Sequence, residues 1–275
     1  MRKFLLPLML LPVVAVAQEP QCKHAQPRDL QLDLAGVKAV VFDIGPHELN
    51  IDASPNAKAE LHGQACASDE KMLEKLKLTQ QKSGDKLYVS ARREGSSSVG
   101  IFFSNSYAYL KLAGTLPDNV TVQLKVGSGD ASVTGAPIVS ADVGSGDVEA
   151  RNIRGLVAAK VGSGDITLED IGSLQVISVG SGDLSAKKVK GPVKVDSIGS
   201  GDFQLNGATG DVRIGSIGSG DAKVRDVSGK VDVDSLGSGD LEADDIRGDL
   251  SVDSVGSGSV NHNGVGGQVK LPPES

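Results

Sequence analysis

The 275-residue chain has no tryptophan, two cysteines, three methionines and four histidines, and aromatic residues make up 3% of it. Each scarcity removes a class of function. Sugar-stacking faces use exposed Trp or Tyr, and beyond Tyr109 the only aromatic is Phe203. Zinc sites place Cys and His at close spacing, whereas His24, His47, His62 and His262 never pair at such a spacing. No Gly-x-Ser-x-Gly elbow anchors a hydrolase triad, and no Lys-Ser/Thr pair follows a glycine loop to hold phosphate. Basic clusters of the kind that bind nucleic acid or anionic lipid are missing. Once Arg2 and Lys3 are set aside, 26 basic residues face 35 acidic ones, a formal charge of −9. Beyond residue 17 no apolar run reaches the ~18 residues of a membrane-spanning helix.

Glycine is abundant instead, with 35 residues. Eight times a small hydrophobe is followed by Gly-Ser-Gly, and seven of the eight units continue with Asp. The opening glycines are Gly127, Gly144, Gly162, Gly180, Gly199, Gly218, Gly237 and Gly256, so the spacings are 17, 18, 18, 19, 19, 19 and 19 residues. That period is too short for a helix pair or a propeller blade and fits one coil of a parallel β-solenoid. The chain is therefore expected to be all-β, with about eight coils of 17–19 residues over 126–271 and a tail at 272–275.

Residues 1–17 have the form of a signal peptide. Arg2 and Lys3 precede an apolar run from Phe4 to Val16, and Ala15-Val16-Ala17 offers a small-x-small cleavage site. The sequence thus predicts export, to the periplasm or beyond, with no transmembrane segment in the mature chain. Cys22 and Cys66 both precede the repeats, and an even pair in an oxidising compartment predicts one disulfide that ties down the mature N-terminus.

Residues 18–125 have an irregular β pattern that predicts a capping region with its own core. Candidate strands lie in 30–34, 37–44, 48–51, 59–65, 87–91, 99–103, 108–112 and 120–126, with a short capped helix beginning near Ser68-Asp69-Glu70-Lys71. Phe42, Tyr88, Phe102, Phe103, Tyr107 and Tyr109 all fall here. Such a region is needed because an open solenoid end exposes unpaired strand groups. At the other end the last unit reads Gly256-Ser257-Gly258-Ser259, without Asp, and Pro272-Pro273 cannot extend a strand.

Within one coil, alternation puts Phe203, Leu205, Val212 and Ile214 inside, Asp202, Gln204 and Arg213 outside, and Ile198 and Ala208 at corners. Phe203 should lie between Leu184 and Ala222, a large residue between smaller ones. A second recurring glycine (Gly155, Gly191, Gly210, Gly229, Gly248, Gly267) reads as a turn residue required by backbone torsion.

Asp130, Asp147, Asp165, Asp183, Asp202, Asp221 and Asp240 should form an outer column whose carboxylates, ~5 Å apart, repel by about 1 kcal/mol per pair even in water. One reading offsets this by hydrogen bonds from the Gly-Ser-Gly amides or from the hydroxyls of Ser128 to Ser238. The alternative is calcium held between coils, as in glycine- and aspartate-rich nonapeptide rolls, although here the unit is twice as long and only one ligand type recurs. A second ladder, Ser178, Ser197, Ser216, Ser235 and Ser254, reads as corner hydroxyls that satisfy one another and the backbone. Arg247-Gly248-Asp249 lies in an ordinary coil turn.

The repeats, the Leu116-Pro117 step into Val120–Val126 and the first Gly127-Ser128-Gly129-Asp130 together resemble the bacterial β-strand-repeat family known as "putative adhesins", over roughly residues 37–271. The resemblance implies a right-handed parallel β-solenoid without an established biochemical activity, and no catalytic residue transfers. The expected function is an exported, non-enzymatic envelope scaffold or binding module that presents solenoid faces to a protein or envelope partner, with no cofactor and no nucleic acid. The alternatives are the calcium-loaded secreted roll and, more remotely, a glycan-active β-helix enzyme, for which no long loops or positioned acid and base pair are evident.

Overall fold

The computed structural model describes residues 22–95 and 106–273. The signal-peptide reading, the candidate strand at 99–103 and the core roles expected of Phe102 and Phe103 lie outside the described residues.

The repeat region is a stack of parallel coils, each built from two short strands that face one another across an apolar interior. One sheet runs upward through strands such as Leu184–Val189, Phe203–Ala208, Ala222–Val227 and Leu241–Ile246. The other runs through Val193–Ile198, Val212–Ile217 and Val231–Leu236. Period-2 alternation decides which side chains meet. Phe203, Leu205, Val212 and Ile214 are buried, whereas Gln204 and Arg213 are exposed. Phe203 sits in register with Leu184 below and Ala222 above, as its bulk requires.

The uneven spacing of the glycines has two separate structural sources. The corner between Val148 and Val157 holds one residue more than the equivalent corner between Ala131 and Val139. In the next coil that residue is absent again, but Ile177 has been inserted between Val176 and Ser178 and bulges outward, half exposed. From Leu184 onward both insertions are present, which gives the period of 19.

The N-terminal region contributes β1 (His24–Pro27), β2 (Leu30–Gln31), β3 (Ala39–Gly45), β4 (Glu48–Ser54), β5 (Glu60–Ala67), α1 (Glu70–Lys75), β6 (Leu76–Ser83), β7 (Lys86–Arg93), β8 (Ala108–Pro117) and β9 (Thr121–Val126). Helix α1 is the expected one: the Asp69 carboxylate accepts the Met72 amide at 2.9 Å and caps it. Much of this region is the solenoid itself, continued. β3 pairs in parallel with β9 above and β7 below, and β4 pairs in parallel with Ala131–Thr134 above and β8 below. Two further coils, β3–β4 and β7–β8, therefore lie beneath the repeats. They are out of chain order, because β3–β4 sits between β7–β8 and β9. The cover comes from antiparallel strands: β6 on β7, β5 on β8, and β1 and β2 on β5. Cys22 and Cys66 are joined by the expected disulfide, which fastens the start of the described chain to β5.

The recurring second glycine corrects the sequence reading. None of Gly155, Gly191, Gly210, Gly229, Gly248 and Gly267 has a positive φ. The left-handed residue of that corner lies three positions earlier, at Asn152, Lys188, Gly207, Asp226, Asp245 and Gly264, with Asp170 in the same place in its coil. The second glycines are needed for close stacking instead: a Cβ on Gly210 would lie 2.6 Å from the Gly191 carbonyl carbon, and one on Gly191 would lie 2.7 Å from the Gly172 oxygen.

Candidate functional site

The Gly-Ser-Gly-Asp corners form one continuous edge of the rod, and their chemistry follows from how tightly coils stack. In each corner the Ser and second Gly amides both donate to the first Gly carbonyl of the coil below; Ser200 and Gly201, for instance, donate to the Gly180 oxygen at 2.8 and 3.0 Å. That contact leaves no room for a side chain on the second glycine, since a Cβ on Gly146, Gly164, Gly182, Gly201, Gly220, Gly239 or Gly258 would overlap the glycine carbonyl beneath it. The serine between them points into solvent.

The seven aspartates do stand in a column, and the coil above supplies their partner. Asp130 Oδ1 accepts the Asp147 amide at 3.2 Å, Asp147 accepts Asp165 at 3.1 Å, and Asp165 accepts Asp183 at 3.0 Å. The chain of bonds continues from Asp183 to the Asp202 amide, Asp202 to Asp221 and Asp221 to Asp240, at 2.9–3.0 Å. Each carboxylate thus satisfies a backbone N–H that the turn would otherwise leave without an acceptor, and the attraction offsets repulsion along the column. Neither the Gly-Ser-Gly amides of the same turn nor the corner serines are the donors, which departs from the structural reading of the sequence. At the top of the column Ser259 replaces Asp: its amide and hydroxyl both donate to Asp240 Oδ1, at 2.9 and 2.8 Å. These bonds, the hydroxyl first, hold the Asp240 carboxyl below the usual range. The strand Val260–Asn263 pairs only with Leu241–Ile246 among the described residues, so no amide from a further coil needs a carboxylate at 259.

The same device occurs at the opposite corner, where Asp211 Oδ1 accepts the Lys230 amide at 3.0 Å and Asp249 Oδ1 accepts the Gln268 amide at 2.8 Å. The second serine ladder bonds to the backbone below it: Ser197, Ser235 and Ser254 donate to the carbonyls of Ile177, Gly215 and Asp234 at 3.5, 3.3 and 3.2 Å. Among the described residues no set of three or more His, Cys, Asp or Glu side chains converges to hold a metal ion.

The outer faces bear mixed charge. Arg213 meets Asp234 at 3.0 Å, Arg225 meets Asp244 at 3.3 Å and Lys188 meets Glu169 at 3.0 Å, each reaching between coils. The Lys188–Glu169 hydrogen bond raises the lysine and lowers the glutamate from their ordinary pKa values. Such exposed pairs are screened by solvent and contribute little to stability. Open hollows lie between the rows of side chains, as around Glu48, Asp130, Asp147 and Glu149.

The four histidines have separate partners. His24 lies 3.7 Å from Glu70, and His62 lies 3.3 Å from Asp29 and 3.6 Å from Glu60. His262 occupies an inward register position, opposite Ala243, in the last coil and is exposed there. His47 was not singled out by sequence reasoning beyond the zinc argument, yet it is the one buried polar side chain among the described residues, 1% exposed. Gly45-Pro46-His47-Glu48 takes the place of Gly-Ser-Gly-Asp in the coil beneath the first repeat: the amides of Gly127, Ser128 and Gly129 converge on the Gly45 oxygen and the Asp130 amide donates to the His47 oxygen at 3.1 Å. Ile44-Gly45 followed by Glu48, Leu49 and Ile51 was the available signal, an apolar-Gly-x-x-acid step into alternating hydrophobes. The His47 Nδ1 accepts the Leu110 amide at 3.2 Å, and its Nε2 has no partner among the described residues. Burial first, and the Arg93 charge second, push its pKa down to about 4.

No curated protein matches the chain. Solved structures of similar shape include a putative lipid binding protein from Parabacteroides distasonis, 17% identical, covering 91% of this chain and 98% of its own, with a TM-score of 0.50. A putative adhesin from Parabacteroides merdae is 13% identical over 91% and 97%, with a TM-score of 0.49. A putative adhesin from Bacteroides fragilis is 15% identical over 91% and 98%, with a TM-score of 0.46. Residues 37–272, which take in both hidden coils, most of the cover and every repeat, match Toastrack DUF4097. The chain therefore belongs to the Toastrack DUF4097 family.

Proposed function

We propose that this protein is an exported, non-enzymatic binding scaffold that presents its two flat solenoid faces to a protein or other envelope partner. The observation that supports this is a division of labour within each coil. The recurring Gly and Asp residues serve the stacking of coils, whereas the outward positions change from coil to coil: Ser132, Glu149, Thr167, Ser185, Gln204, Lys223, Glu242 and Asn261 occupy one such row. A rigid frame bearing a varied surface suits recognition over a broad area. Export is supported by the form of residues 1–17 and by the Cys22–Cys66 bond, which persists in oxidising compartments.

The test is site-specific photocrosslinking in the source cells, with the crosslinker placed singly at Gln204 and Lys223 on one face and at Gln123 and Arg213 on the other, followed by fractionation. Adducts concentrated on one face, together with a processed chain in the envelope fraction, are expected. A chain that stays unprocessed in the cytosol, or one that gives no adduct at any of the four positions, would overturn the reading.

A further inference from the structure

We infer that His47 is an acid-sensitive latch: its neutral ring holds β8 against the coil above, and a proton on that ring lets β8 part from the stack. The geometry fixes the neutral state. Nδ1 is the acceptor for the Leu110 amide, so the ring proton is on Nε2, inside the fold and without an acceptor among the described residues. A second proton can only go to Nδ1. There it would face the Leu110 N–H, leaving two donors opposed where a hydrogen bond had been, in a site 1% exposed.

The charged surroundings give the imidazolium no relief. From β7 comes the charge of Arg93, which is itself positive. On β8 Leu110 is flanked by Tyr109 and Lys111, and Lys111 lies 3.7 Å from Glu48, the residue after His47. Asp130, in the corner stacked above, is joined to His47 through its amide and bonds its carboxylate to the Asp147 amide. The other histidines of the N-terminal region are placed differently: neither His24 nor His62 is buried, and each lies beside a carboxylate. Charging His47 therefore opposes the fold.

The sign follows from linkage. With a folded value of about 4 against an ordinary 6.5, the unfolded or parted state binds the proton first. The latch is fully effective above pH ~6.5 and weakens as pH falls toward 4, by about tenfold in the opening equilibrium per pH unit. β8 is the strand at risk, since it lies between β4 and the covering strand β5. Its departure would bare the β4 edge, a template for pairing with another strand.

The experiment is hydrogen exchange of the full chain, corrected for intrinsic rates, at pH 7, 5.5 and 4. His47→Asn is the comparison, because an Asn Oδ1 can accept the Leu110 amide but cannot be protonated. Protection of 108–117 and 48–54 is expected to fall at least tenfold more between pH 7 and 4 in the wild type than in His47→Asn, with 203–246 unaffected in both. Equal losses in the two proteins, or none in the wild type, would overturn the inference. Should His47→Asn fail to fold, the ring titration of wild-type His47 by NMR decides: protonation below pH 5 that coincides with loss of the Leu110 amide signal supports the latch, and titration near 6.5 with that signal intact removes it.

Discussion

The carboxylate of Asp202 accepts the backbone amide of Asp221, nineteen residues along the chain, at 3.0 Å. One side chain therefore closes the hydrogen-bond ladder at a corner where the backbone cannot close it. Repeated up the rod, this bond explains why Asp follows Gly-Ser-Gly in seven coils, and why it can give way to Ser259 in the last.

If acceptance is what matters, charge is dispensable. Asp202→Asn is expected to leave the thermal midpoint within a degree or two of wild type, whereas Asp202→Ala should cost about 1 kcal/mol by orphaning the Asp221 amide. Thermal unfolding of the two variants checks this, and equal destabilisation by both would contradict it.

The glycine column allows no side chain. Gly201→Ala should cost about 3 kcal/mol or more, because the new methyl overlaps the Gly182 carbonyl and only a shift of two coils could relieve it. Ser200→Ala, one residue away but exposed, should stay within about 0.5 kcal/mol of wild type. Denaturant unfolding of the pair separates steric stacking from a requirement for the whole tripeptide.

Phe203 fills the space between Leu184 and Ala222. Phe203→Ala is expected to lose about 3–5 kcal/mol, and adding Ala222→Leu should recover part of the loss while being destabilising alone. A double-mutant cycle in denaturant measures the coupling; additivity would mean that the two side chains do not share the cavity.

Calcium is checked by the same kind of measurement. Because the column carboxylates already accept the amides above them, unfolding in chelator and in millimolar calcium should give coincident curves. A midpoint several degrees higher in calcium would instead make the column a metal site by linkage.

Much of the repeat architecture was legible because its signals are local and repeated. Alternation placed Phe203 and Leu205 inward, and the Gly127-to-Gly256 spacing set the coil. Two features of the corners were misread for a common reason. The second glycines were assigned to torsion and the aspartates to their own turns, yet both answer to the neighbouring coil. A sequence shows that Gly210 recurs but not that the Gly191 backbone lies 2.6 Å from where its Cβ would be. The hidden lower coils escaped for a different reason: β7 is preceded by Ser83-Gly84-Asp85, which looks like a corner but forms a hairpin turn with Gly84 at φ 61°, while the real corner at Gly45–Glu48 lacks both Ser and the second Gly. β1 and β6 were not anticipated either, since their burial patterns are mostly exposed and polar, as suits covering strands.

The sequence by itself determined the period, the inward face and the pairing of two cysteines, because each depends on residue type and spacing within one coil. Only the tertiary structure decided the stacking order of β7–β8 below β3–β4, the partner of each aspartate, and the burial of His47 against Leu110. Those depend on what lies one coil away, a distance of about 5 Å in space and seventeen or more residues in the chain. Interactions across that gap are set by register between coils, and register exists only once the chain has wound.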